Sequence, residues 1–127
     1  MERLVNCEHI LDIALIENIS GGNQKFDIFF VDKNSKRYKL SFPRVWDMRY
    51  SIENGYLERF CRFRENLPDG IIDNGIYIVE DSNYMKYFEK QVLGSLPTED
   101  IVDYLLYDEI DTTIEILALA PPEIIEV

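Results

Sequence analysis

The chain has 127 residues, enough for one domain, and its 46% apolar content with 13% aromatics supplies one ordinary hydrophobic core, which excludes a disordered chain despite a formal net charge of -11. No segment approaches the roughly 18 uninterrupted apolar residues of a membrane helix, and Glu2, Glu8 and Asp12 lie where a secretory signal would be apolar, so a cytoplasmic protein is expected. Cys7 and Cys61 are too few and too far apart for a disulfide framework, and two reduced, buried thiols are expected.

HILDIALIENI, KFDIFFVD and KRYKLSF are short runs rich in Ile, Phe, Val and Tyr, separated by the turn compositions SGGNQ and DKNS. They predict three antiparallel strands. VWDMRYS alternates, with Trp46, Met48 and Tyr50 on one side and Asp47 and Arg49 on the other, as in a half-buried strand. The period then changes to that of a helix: Ile52, Tyr56, Phe60 and Phe63 form one stripe, Ser51 is the predicted N-cap, and Leu67-Pro68-Asp69-Gly70 is the stop. Asn54-Gly55 carries the competing signal, a two-residue hairpin.

GIYIVED predicts a further strand, and SNYMKYFEKQVLG a second helix capped by Ser82, striped by Tyr84, Phe88 and Val92 and stopped by Gly94. TEDIVDYLLYDEI followed by TTIEILALA reads as a strand hairpin turning through YDEIDT, with a helix over its first part as the alternative. Pro121-Pro122 is expected to end regular structure. The sum is a single α+β domain over residues 1–127, with one antiparallel sheet of five to seven strands and two or three helices packed on it.

The stretch 42–66 carries Arg44, Arg49, Arg59, Arg62 and Arg64 among aromatics, a composition that suggests a nucleic-acid site. Its charges cancel, however: Asp47, Glu53, Glu58 and Glu65 leave only +1 over residues 44–65, and Glu58 and Arg62 are four apart in the favourable order. A phosphate-binding surface needs uncompensated cations. These arginines are therefore expected to pair with local glutamates and with the acidic second half of the chain, and no nucleic-acid or membrane partner is expected.

His9 is the single histidine, so any Ser-His, Cys-His or multi-histidine metal chemistry must pass through it. Gly21-Gly22 lacks the Lys and Ser/Thr of a phosphate loop. No metal, cofactor or catalytic residue is assigned, and a non-enzymatic protein is expected. The alternative is a small-ligand or enzymatic site near Cys7, His9 and the 42–66 stretch.

The charge that does not cancel lies in residues 69–127, where 2 Lys+Arg face 14 Asp+Glu, against 11 and 10 in residues 1–68. Its densest part, Asp103, Tyr104, Tyr107, Asp108, Glu109 and Asp111, is the candidate partner surface: carboxylates to steer a basic protein, tyrosines for contact area. The order of VWDMRYSIENGYLERF, GIYIVEDSNYMKYFEKQVLG and DYLLYDEIDTTIEILALAPPEI, spanning roughly residues 45–125, resembles small bacterial immunity proteins encoded beside secreted polymorphic toxins. That resemblance implies an acidic, cytoplasmic, non-enzymatic α+β domain that blocks the active site of a cognate toxin. It assigns no site residues.

Overall fold

The computed structural model describes residues 1–7, 12–52 and 55–127. Among these, nine strands and two helices follow in the order β1 (Arg3–Asn6), β2 (Leu15–Gly22), β3 (Lys25–Val31), β4 (Arg37–Phe42), β5 (Val45–Ser51), α1 (Leu57–Glu65), β6 (Gly75–Glu80), α2 (Asn83–Val92), β7 (Val102–Tyr107), β8 (Thr113–Ala118) and β9 (Glu123–Glu126). The class is α+β as predicted. The strands form two antiparallel sheets instead of one, ordered β1-β6-β7-β8-β5 and β2-β3-β4-β9.

Three layers result. Ile28, Phe30, Leu40 and Phe42 of the four-stranded sheet meet Ile76, Tyr104, Leu106, Ile114 and Ile116 of the five-stranded sheet in the main core. The other face of the five-stranded sheet carries the helices: Phe60 and Phe63 of α1 cover Leu4, Tyr77, Val79, Leu105 and Tyr107, and Tyr84, Met85 and Phe88 of α2 cover Trp46 and Leu117. Central strands β7 and β8 are thus buried on both faces, which explains their near-continuous apolar runs. Each fully buried leucine or isoleucine there contributes roughly 1.5–3 kcal/mol.

Several local expectations change. β1 was not foreseen, because four residues bounded by charge carry too little pattern. β9 follows Pro121-Pro122, which interrupt the chain without ending its structure, and Leu40 pairs with Ile124. β2 runs through Gly22, so its turn is only Asn23-Gln24, both at positive φ as a two-residue hairpin with right-handed twist requires. The first part of HILDIALIENI, residues 9–11, lies outside the described residues, as do His9, Glu53 and Asn54.

α1 begins at Leu57, after an N-cap at Tyr56, and not after Ser51. Ser51 is still the partner of Thr113 in the β5–β8 ladder, so the expected N-cap belongs to a strand, and Ile52, expected on the helical stripe, is 64% exposed beyond that strand. A bulge between Val45 and Asp47 also separates Trp46 from Met48: Trp46 packs under α2, whereas Met48 joins the main core and Tyr50 is exposed. α2 follows its prediction, with the Ser82 hydroxyl accepting from the Met85 amide and Leu93-Gly94 closing the helix in left-handed geometry. Cys7 is buried in the inter-sheet core and Cys61 is exposed on α1, contrary to the expectation of two buried thiols.

Candidate functional site

The β7–β8 hairpin redistributes the six residues of the predicted partner surface. Successive residues of β7 face opposite sides. Tyr104 therefore enters the main core, edge-on to Phe42 at 5.6 Å, while Tyr107 packs beneath α1 against Phe60 at 4.7 Å and donates its hydroxyl to Asp111. Both tyrosines are core residues. Asp103 is buried on the helix side, and Asp108 is buried at the head of the turn.

Asp108 organises that turn. Its Oδ1 accepts from the amides of Ile110 (3.1 Å) and Thr112 (2.8 Å), and its Oδ2 accepts from the amide of Ile16 (2.9 Å), which ties the hairpin of one sheet to β2 of the other. Glu109 and Asp111 alone of the six remain exposed, with Ile110 between them at 60% exposure. The loop entering β6 repeats this arrangement: Ile71 is also 60% exposed, and the flanking Asp69 and Asp73 are exposed. Gly75 pairs with Tyr107, so both loops lie at the same end of the five-stranded sheet. Ile71 and Ile110 were missed from sequence; for Ile110 the hairpin reading was the available signal, since the tip of a turn faces solvent.

A second cluster lies between α1 and α2. Arg59 donates from Nη1 and Nη2 to Glu115 (2.5 and 2.8 Å) and from Nε and Nη2 to Glu2 (3.1 and 2.7 Å). Tyr56 donates its hydroxyl to Glu115 at 2.9 Å, the Asn83 amide at the start of α2 donates to Glu2 at 2.7 Å, and Ser82 donates to Asp103 at 2.5 Å. Burial opposes the charge on Arg59, but the bonds to Glu115 and Glu2 outweigh it and hold the guanidinium more firmly protonated than usual. Burial, then Glu115, raises the Tyr56 phenol well above its ordinary range.

Two of the five arginines of the 42–66 stretch, Arg59 and Arg62, pair with carboxylates, one of which, Glu2, comes from the start of the chain and not from the expected local or second-half acids. Arg59 is matched by Glu2 and Glu115, and Arg62 by Glu58 at 2.8 Å, one helical turn away. Above them lies an open groove of about 660 Å³ lined by Arg49, Tyr50, Tyr56, Leu57, Arg59 and Arg62 among others. Cys7 and Cys61 do not converge on it: one is between the sheets and the other on the outer helix. No helix among the described residues is long and apolar enough to cross a membrane.

No family model, curated protein or solved structure matches this chain.

Proposed function

We propose that this protein is a non-enzymatic acidic binding protein that engages a basic protein partner through the two loops at one end of the five-stranded sheet, in the manner of an immunity protein that occludes the active site of a cognate toxin. The supporting observation is the repeated arrangement of an exposed isoleucine between exposed carboxylates, Asp69-Ile71-Asp73 and Glu109-Ile110-Asp111. An apolar centre with a charged rim is how interfaces combine contact energy with long-range steering. Ile71 and Ile110 take the anchoring role that sequence had given to Tyr104 and Tyr107, whose rings are buried. Carboxylates at the rim can stand in for substrate phosphates if the partner is a nuclease.

The alternative, a small-ligand site on the 42–66 stretch, has the groove in its favour. Two of its three arginines are already satisfied by carboxylates, so an incoming anion must compete with Glu2, Glu115 and Glu58. Co-expression with the toxin-like product of a neighbouring gene separates the two readings. Growth protection by the parent, lost in an Ile71→Ala/Ile110→Ala variant that folds and retained in a groove variant such as Leu57→Ala, is the expected result. The reverse pattern transfers the function to the groove.

A further inference from the structure

We propose that Asp103 and Glu115 share a single proton, and that this proton is a pH-sensitive latch holding the helical layer on the five-stranded sheet. Asp103 lies opposite Leu117, and Glu115 opposite Leu105, so the two carboxyls are diagonal neighbours on the helix-facing side of adjacent strands. Both are buried, Glu115 completely. Two carboxyls set side by side out of water repel each other when both are charged, which favours one of them keeping a proton. Oδ1 of Asp103 has no hydrogen-bond partner among the described residues, since the Ser82 hydroxyl goes to Oδ2. A shared proton satisfies that oxygen.

The surroundings supply too little positive charge for both carboxyls to ionise. Glu2 faces the pair from the start of the chain, Tyr56 and Arg59 from α1, and Ser82 from the cap of α2. Arg59 is shared among three carboxyls, bonded to Glu2 and Glu115 and 3.9 Å from Asp103 Oδ2; Arg62 stands 3.7 Å from Glu2 and is half exposed. From β5, Arg49 lies opposite Glu115 with its guanidinium 3.7 Å over the Tyr84 ring of α2, and Asp47 accepts from the Tyr84 hydroxyl. Losing the proton would add a second buried negative charge where α1 and α2 both attach.

Burial, then Glu115, pushes the Asp103 carboxyl up to about 10. An unfolded Asp titrates near ~3.9, so the folded state holds a proton that the unfolded state releases. Stability from this group is complete below that value and is lost as pH rises from ~4 to about 10. Glu115 is lowered and acts in the opposite sense, but only in acid, below roughly pH 4.3.

The test is chemical unfolding of the parent and Asp103→Asn between pH 5 and pH 9. Asparagine keeps a donor toward Glu115 and an acceptor for Ser82 but cannot ionise. The parent's unfolding constant should rise with pH more steeply than the variant's by roughly tenfold per unit, the effect of one proton. Parallel profiles would overturn the proposal. Should the variant not fold, the parent alone decides through its carboxyl carbon resonances: one Asp still protonated at pH 7 is expected, and full ionisation of all of them refutes the shared proton. Amide exchange corrected for its intrinsic pH dependence then reads the latch, which requires protection in α1 and α2 to fall between pH 6 and pH 9.

Discussion

Arg59 on α1 and Glu115 on β8 are 56 residues apart in the chain and form a two-pronged ion pair at 2.5 and 2.8 Å, with Glu115 at 0% exposure. Such a pair is a weak source of net stability but a large liability when broken, because the remaining charge has no water to return to. Arg59→Met should therefore cost about 3–5 kcal/mol in urea unfolding. Arg62→Met, which breaks an exposed pair with Glu58, should cost less than about 1 kcal/mol. Adding Glu115→Gln to Arg59→Met should recover part of the first loss, and simple additivity would mean that the pair is not coupled.

Asp108 is the second site where burial reverses what its charge suggests. Replacing it by alanine removes the acceptor of three backbone amides, two in the β7–β8 turn and one in β2, and a loss of about 3 kcal/mol is expected. Hydrogen exchange locates the effect: the Ile16 amide should lose protection in Asp108→Ala and regain part of it in Asp108→Asn. An Ile16 amide equally protected in all three proteins would show that the turn does not depend on this carboxylate.

Glu109 and Asp111 face solvent, and their charge can be removed without unfolding. Asp111 sits at a φ of +63°, where asparagine is tolerated, and asparagine can still accept from Tyr107. Glu109→Lys with Asp111→Asn should change stability by less than about 0.5 kcal/mol while slowing association with the basic partner, more so at low salt. Ile110→Ala should act on dissociation. An unchanged association rate for the charge variant at both low and high salt would take this loop out of the interface.

The buried phenols give an alkaline signature. Burial, then Asp111, pushes Tyr107 up to about 12, and burial, then Asp73, does the same for Tyr77. A free tyrosine ionises near ~10, so the folded state keeps these protons longer than the unfolded one. Stability from them is present below pH ~10 and is lost as pH rises toward 12. Ultraviolet titration of Tyr107→Phe should lose one late-ionising phenol and no early one.

Gly21 is strained for any other residue: its φ is +145°, and a Cβ there would stand 2.1 Å from the Lys25 carbonyl oxygen. Gly21→Ala should destabilise the β2–β3 hairpin by more than about 1 kcal/mol, whereas the neighbouring Gly22→Ala, which meets nothing within 4 Å, should be nearly neutral. Equal melting temperatures for the two variants would contradict this assignment.

Sequence by itself determined what depends on neighbours along the chain. Ser82, the four-residue spacing of Tyr84 and Phe88 and the stop at Gly94 mark α2, whereas the run over residues 98–118 fitted a strand hairpin or a helix over its first part, and pairing of β7 with β6 and β8 decided for the strand. The Glu58–Arg62 pair was also legible, because the two residues are one helical turn apart. Only the tertiary structure decided the rest. Period-2 patterning says that a strand has an inner face and not which sheet it joins, so the division into two sheets, and β9 after two prolines, depends on long-range pairing. A carboxylate likewise reads the same whether it faces water or a buried guanidinium. Asp103, Asp108 and Glu115 have their partners on Ser82, Ile16 and Arg59, elements distant in the chain, and that placement, which no local spacing encodes, separates the buried acids that hold this fold together from the exposed ones at its end.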